Sequence, residues 1–218
     1  RVLANAANEG YARAANAGAA AAEQELLCFL NPDCRPVPEL FPLAAAALVG
    51  RPLRCAVPSL RERQGERVPG RQPGYTGLKL MADVLETGYG ANPLSRWLRR
   101  RRGYHDRRWW WPHGACLFVH RPTFLALGGF DPRFFVYMED VDFGLRLARA
   151  GGDVIPLDVT LAHGQGRGAR VSERTRRRML MAARLGYARL HHGAALATAL
   201  AALVAPCEPL RTLLGRQG

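Results

Sequence analysis

The sequence predicts an α/β fold, and three observations carry that expectation. Short continuous apolar runs alternate with Ala/Leu-rich helical stretches along much of the chain. Two of those runs end on polar residues: Leu26–Leu30 on Asn31-Pro32-Asp33, and Val159–Ala162 on His163. Polar residues at strand ends put a site at the C-terminal edge of a sheet. The third observation is the stretch from Glu139 to Ala150, which opens on acids and closes on Arg149-Ala150-Gly151-Gly152. Acids first, cations last and glycine at the stop mark a helix at both ends.

In chain order, Tyr11 to Glu25 is Ala-rich with helical propensity. Leu26–Leu30 reads as a buried parallel strand, broken by Asn31-Pro32-Asp33. Pro38 to Val49 is a second Ala/Leu helix, and Cys55-Ala56-Val57 another short strand. Residues 58–108 carry turn signals and mixed charge with little periodicity, and read as a long functional loop region. Strand character resumes over Trp109 to His120, with Cys116–Val119 as its apolar centre. Pro122 to Leu127 is a short helix stopping at Gly128-Gly129. After the aromatic segment Phe134–Tyr137 and the Glu139 helix come strands at Val154–Leu157 and Val159–Ala162. From about Ser172 the chain is an Arg-rich helical tail, and there is no internal repeat.

At 218 residues the chain is long enough for one full domain. Its formal charge of +13 asks for an anionic partner: nucleic acid, an acidic membrane surface or a phosphorylated ligand. Lys79 is the only lysine among 31 cationic residues, so much of the charge reads as arginine-rich coding bias on a solvated surface. Two blocks are clustered, Arg96 to Arg108 and Arg167 to Arg178. The five cysteines show no C-x-x-C spacing, which argues against a zinc ribbon or a disulfide framework. Cys28 and Cys116 lie inside apolar runs, where a buried thiol is expected. Ala194 to Ala205 is far shorter than the roughly 20 residues a bilayer span needs. The opening Arg1-Val2-Leu3-Ala4 reads as the interior of a fold, so an N-terminal piece is expected to be missing.

Taken singly, the chemistry-bearing residues have ordinary explanations. Asn31-Pro32-Asp33 is a turn after a strand, Glu139-Asp140-x-Asp142 is a set of first-turn acids, and a lone His163 is commonly structural. Their order along the chain says more. Asn8-Glu9-Gly10-Tyr11-Ala12 with Asn16 and Gly18 precedes Leu30-Asn31-Pro32-Asp33. Gly114-Ala115 then precedes Gly128-Gly129-Phe130-Asp131-x-x-Phe134-Phe135-x-Tyr137-x-Glu139-Asp140-x-Asp142-x-x-x-Arg146, with His163 downstream. This series resembles family 2 glycosyltransferases, and within them the bacterial rhamnosyltransferase-like branch. The match spans roughly residues 2 to 170 and is most specific from 114 to 151.

The resemblance implies a GT-A fold, a Rossmann-like mixed sheet flanked by helices, here lacking the first nucleotide-binding strand and helix. It divides the chain into a partial GT-A domain at 1–170, with 58–108 as its variable acceptor-side loops, and a basic helical tail at 171–218. It implies transfer of a sugar, with inversion, from a nucleotide-diphosphate donor to a hydroxyl of a glycan or lipid-linked glycan in cell-envelope polysaccharide synthesis. Asp140 matches the base that takes the acceptor proton. Asp33 and His163 match ligands of Mg²⁺ or Mn²⁺, ions that neutralise a departing diphosphate. Asn8, Gly10, Asn16 and Asn31 fall where relatives approach the donor. Glu139 is expected to position loops or metal-bound water. Asp142 and Arg146 either hold the acceptor or pair with each other at i, i+4. Trp111 either stacks on an acceptor sugar or belongs to the apolar strand entering Gly114-Ala115.

Two other readings remain: an inactive, truncated remnant of the same fold, and a basic nucleic-acid-binding module. The second lacks any recognised nucleic-acid motif, so no nucleic acid is expected. The basic tail followed by Ala194–Ala205 suits peripheral contact with an anionic inner leaflet from the cytoplasmic side.

Overall fold

The computed structural model describes residues 2–164 and 171–207, and the expected glycine-rich stretch 165–168, together with Arg167 and Arg170, lies outside them. The chain divides into two units: Arg1–Gly74 with Arg107–Phe135 and Glu139–Arg170, and Tyr75–Asp106 with Val136–Met138 and Val171–Gly218.

The elements of the first unit follow in order as α1 (Tyr11–Ala21), β1 (Leu26–Leu30), α2 (Leu40–Leu48), β2 (Arg54–Arg61), β3 (Arg67–Val68) and β4 (Arg71–Tyr75). The chain continues through α3 (Gly77–Tyr89) and α4 (Pro93–Arg99) of the second unit. It returns as β5 (His105–Pro112), β6 (Cys116–His120), α5 (Arg121–Ala126), α6 (Glu139–Arg149) and β7 (Asp153–Ala162). The helices α7 (Glu173–His191) and α8 (Ala194–Val204) complete the second unit.

A mixed sheet forms the core of the first unit. Strand β6 lies between β1 and β2 and is antiparallel to both, while β2 pairs with β7 in parallel. The short β3 adds to the far end of β2. Strands β1, β2 and β7 therefore share one direction. The expectation of a parallel strand at Leu26–Leu30 needs correcting, because its pairing partner is the antiparallel β6. A continuous apolar run reports burial on both faces, and it carries no information on the neighbour's direction.

The two-residue alternation of the strands sorts the core. Leu27, Phe29, Cys55, Val57, Leu117, Val119 and Val154 pack on one face with Ala12 and Ala19 of α1, Phe124 of α5, and Phe143 and Leu147 of α6. Ala56, Leu60, Cys116, Phe118, Leu157 and Leu161 pack on the other, with Leu40, Ala44 and Leu48 of α2. The result is a helix–sheet–helix sandwich. Cys28 departs from the expectation of a buried thiol: at the edge strand its side chain is exposed, whereas Cys116 in the central strand is buried.

Residues 58–108 were expected as loop, and the structure shows regular elements instead. After β3 the chain forms a two-stranded ribbon of β4 and β5, in which Arg71 lies 4.2 Å from the Trp110 ring centre and the Trp111 indole N–H donates to the Pro73 carbonyl at 3.0 Å. It also forms α3 and α4, each opened by a side-chain cap from Thr76 and Asn92. These helices belong to the same compact unit as 171–207.

The helical pattern of α3 was obscured because a carboxylate occupies its buried face. Asp83 is 4% exposed, beside Leu80, Ala82, Val84 and Leu85. Its oxygens accept from the Tyr75 hydroxyl at 2.7 Å and from Lys79 at 3.2 Å, with Arg99 at 3.5 Å and Arg184 at 3.7 Å. Burial pushes the Asp83 carboxyl up, yet Lys79 and Arg184 outweigh it and hold the group below its ordinary value. Lys79 is pulled down by burial, against the attraction of Asp83.

Removing a partner from a buried charge cluster costs about 3–5 kcal/mol. Asp83→Ala should therefore lower the unfolding free energy of the chain by that order, measured by urea titration. Because the folded carboxyl titrates below its unfolded value, its stabilisation is present above about pH 4 and is lost as pH falls. Asp83→Asn should accordingly flatten the acid limb of a stability-versus-pH curve.

Candidate active site

The candidate site gathers at one edge of the sheet, where β1, β2 and β7 end and the antiparallel β6 begins. Leu30, the last residue of β1, pairs with Cys116, and Arg61 at the end of β2 pairs with Ala162 at the end of β7. The residues just beyond these ends are Asp33, Glu62 and His163, and the residues just before β6 are His113 and Gly114. The Arg35 N–H donates to the Ala162 carbonyl at 2.9 Å, tying the Asn31-Pro32-Asp33 turn to β7. The Asn31 N–H donates to the Ala115 carbonyl at 2.8 Å, tying the same turn to the start of β6.

His163 sits between two carboxylates. Its Nδ1 lies 2.8 Å from Glu62 Oε1 and its Nε2 lies 3.5 Å from Asp33 Oδ1. The His113 ring stands edge-on to His163, with centres 6.1 Å apart. The backbone N–H of Ala115 donates to His113 Nδ1 at 3.3 Å, which leaves the hydrogen of a neutral ring on Nε2. Burial lowers the His113 pKa, with Asp140 opposing, so the ring is neutral at pH 7. Glu62 and His113 are the members that sequence reasoning missed. Glu62 lay in the stretch read as loop, and the preceding Pro58-Ser59-Leu60-Arg61 gave no continuous apolar run to mark a strand end.

Asp140 occupies the first turn of α6. Its Oδ2 accepts from the Gly114 N–H at 2.9 Å and its Oδ1 from the Val141 N–H at 2.8 Å. A Cβ on residue 114 would stand 3.0 Å from Oδ2, so Gly114 keeps the approach open. A helix N-terminus favours an ionised carboxylate, yet burial raises the Asp140 pKa overall, against His113 and the N–H groups of Gly114 and Val141. Beside it Glu139 is 6% exposed and its Oε2 has no hydrogen-bond partner among the described residues. Burial, and then the charge of Asp140, push Glu139 up to about 8. The same pair, after burial itself, raises the Tyr11 hydroxyl, which points at the Gly114 carbonyl from 3.4 Å.

Two backbone features mark the start and the body of α6. Tyr137 and Met138, just before it, both adopt the left-handed backbone region with φ of 70° and 69°, a conformation that costs about 1–2 kcal/mol per residue. Gly144 lets the helix touch β5, since a Cβ there would lie 2.6 Å from Trp111 Cα.

Other expected site residues are used within the fold. Asn16 donates to the Phe130 carbonyl at 2.7 Å and accepts from the Phe130 N–H at 2.9 Å, so both ends of its amide clamp the Gly128–Phe130 turn. Of the two readings of Asp142 and Arg146, the structure displays the mutual pair. Arg146 Nε donates to the buried Asp142 at 2.8 Å, and its Nη1 donates to the Leu127 carbonyl. Asn8 accepts from the Gly10 N–H at 3.1 Å. Gly10 has φ of 87°, and its close neighbour is the Phe135 carbonyl, 2.3 Å from where a Cβ would be. Trp111 is half-buried and hydrogen-bonded within the ribbon.

The donor set at Asp33 and His163 suits a divalent ion. Two ligands each about 2.1 Å from one ion stand roughly 3.0–3.5 Å apart when adjacent, and Asp33 Oδ1 and His163 Nε2 are 3.5 Å apart. Among the described residues there is no group of three His, Cys, Asp or Glu side chains arranged to hold an ion by themselves. Any ion here would take its other ligands from water and from a bound phosphate.

The chain belongs to glycosyl transferase family 2, whose model matches residues 1–124. The match ends before α6 and Asp140. The chain is 44% identical over 72 residues to N-acetylglucosaminyl-diphospho-decaprenol L-rhamnosyltransferase of Mycobacterium tuberculosis (strain CDC 1551 / Oshkosh), a match covering 33% of this chain and 24% of that protein. The protein of the same description from strain ATCC 25618 / H37Rv matches equally, so the chain's match spans about a quarter of these relatives' length. Among solved structures, GalNAc-T7 with UDP, GalNAc and Mn²⁺ superposes with a TM-score of 0.50 at 16% identity, covering 73% of this chain and 31% of that one. The fold is thus of the GT-A glycosyltransferase type.

The Glu139 environment makes a direct prediction. Its folded pKa lies above its unfolded value, so the folded chain holds the extra proton and loses stability as pH rises from about 4 towards 8. Glu139→Gln should abolish that decline, raising Tm more at pH 8.5 than at pH 5. Equal shifts at both values would show that the carboxyl is ionised throughout.

Proposed function

We propose that the chain transfers a sugar, with rhamnose the first candidate, from a nucleotide diphosphate to a hydroxyl of a glycan or lipid-linked glycan. The observation that carries this reading is the half-buried Asp140 carboxylate, held by the Gly114 N–H at the sheet edge that also presents Asp33 and His163. An alcohol attacks only as its proton is removed, and a carboxylate with a raised pKa is a better acceptor for that proton. Asp140 is the base in this reading. Glu139, protonated beside it, adds no second charge, so the ionised form of Asp140 is spared a like-charged neighbour.

Asp33 and His163 would hold a Mg²⁺ or Mn²⁺ ion, which would supply positive charge to offset that of a departing diphosphate. Glu62 accepts from His163 Nδ1–H and so turns the Nε2 lone pair towards Asp33. Asn31, Asn8 and Gly10 lie on the donor side, while Trp111 lies on the acceptor side. The rhamnosyl donor and the lipid-diphosphate acceptor are suggested by the description of the mycobacterial relatives. Peripheral contact with an anionic membrane accords with the charge of +13, and no described helix is long and apolar enough to cross a bilayer.

The test is a screen of nucleotide sugars, dTDP-rhamnose first, with and without Mn²⁺. Asp140→Asn should reduce transfer by about 10²–10⁴-fold, the usual worth of a general base, while leaving nucleotide binding intact. Full activity in that variant would remove Asp140 from the role. Asp33→Ala should weaken Mn²⁺-dependent nucleotide binding. Glu62→Gln should reduce Mn²⁺ affinity by about 10–100-fold, the usual effect of losing a ligand's orienting partner, as measured by calorimetry.

A further inference from the structure

The inner face of α4 is settled by its contacts. Ser95 and Leu98 are buried; the Ser95 hydroxyl donates to Glu86 at 3.1 Å, and Leu98 packs with Ala82, Leu85 and Tyr104. The opposite face carries Leu94, Arg96, Trp97 and the capping Arg100, all of them exposed. Leu94 is 49% and Trp97 51% exposed, and a spacing of three makes them neighbours on the helix surface. Arg101, in the turn that follows, lays its guanidinium 3.7 Å from the Trp97 ring centre. Asp83 and Glu86, the acids beside the inner face, both receive Arg99. Among the described residues no carboxylate pairs with Arg96, Arg100, Arg101 or Arg102. By contrast the Arg-rich α7 spends Arg176 and Arg177 on Glu173, and Arg184 on Asp83.

An arginine run alone is satisfied by water, but Leu94 and Trp97 gain only where apolar atoms replace it. A nucleic-acid backbone would take the arginines and leave Leu94 in water. An anionic bilayer serves both. Tryptophan seats at the headgroup level, leucine reaches the acyl boundary, and arginine meets lipid phosphates. We propose that this face of α4, with the turn that follows it, is the surface through which the chain docks on an anionic membrane. Reading that membrane as the one that holds the acceptor rests on the function proposed above. The surface itself rests on its exposed side chains and their charge.

The test is co-sedimentation of the full chain with phosphatidylcholine vesicles, with and without phosphatidylglycerol. Binding should require phosphatidylglycerol and weaken as salt is added. Arg96→Gln/Arg100→Gln/Arg101→Gln should lower partitioning about 100-fold, since each arginine near an anionic surface contributes roughly fivefold. The charge-matched variant Arg13→Gln/Arg51→Gln/Arg149→Gln changes exposed residues of the first unit and should bind nearly as the wild type does. All six positions are exposed, so both variants should keep their Tm. Lipids brominated along the acyl chain should quench part of the tryptophan emission, and Trp97→Phe should remove that part. No binding to anionic vesicles, equal loss in the two triple variants, or quenching that survives in Trp97→Phe would overturn the proposal. So would binding of a DNA oligonucleotide through the same arginines with vesicles left unbound. Asp140→Asn should sediment with vesicles as the wild type does. Docking through α4 in a chain that transfers no sugar would leave the surface standing and remove the functional reading. Transfer to a soluble acceptor without docking would do the reverse.

Discussion

The backbone at Gly114 and Ala115 joins the parts of the candidate site. Its N–H at Gly114 holds Asp140, and its carbonyl at Ala115 receives the N–H of Asn31, which opens the turn bearing Asp33. Both bonds depend on β6 running antiparallel between β1 and β2, because only then does its first residue stand beside the last residue of β1. The absence of a side chain at Gly114 is part of the same arrangement, since the carboxylate approaches the backbone where a Cβ would crowd it. Asp33, His163 and Asp140 lie far apart in sequence. The direction of one central strand brings them to one edge.

Burial at that edge sets the charge states. Two adjacent carboxyl groups at the start of α6 are withdrawn from water, and both titrate above their ordinary range. They are not equivalent. Asp140 has two backbone N–H donors that stabilise its anion, while Glu139 has an oxygen with no partner among the described residues. The two neighbouring carboxyls thus sit in unequal environments, and unequal environments are how paired carboxyls acquire different roles.

The second unit shows polar chemistry used for structure. Asp83 takes the place of an apolar residue on the buried face of α3 and draws cations from α3, α4 and α7 towards one point. A buried carboxylate is costly unless it is surrounded in this way. Part of the arginine content that looked like coding bias is accordingly engaged here, with Arg99 and Arg184 both on Asp83.

The sequence alone determined the alternation of strands and helices, the helix opening at Glu139, the turn at Asn31-Pro32-Asp33 and the likeness to family 2 glycosyltransferases. These features are local, written in apolar runs, caps and short-range spacing. It did not reveal α3, because an aspartate on a helix's inner face breaks the apolar period that signals burial. Nor did it reveal Glu62 and His113, whose only distinction is what lies beside them. The partner of Asn16, the Phe130 backbone, likewise comes from the tertiary structure, whereas the Asp142–Arg146 pair is an i, i+4 contact that spacing already offered. Residue type and spacing state what a side chain is able to do. Which partner it meets depends on strand direction and packing between distant segments, and those exist only in the folded chain.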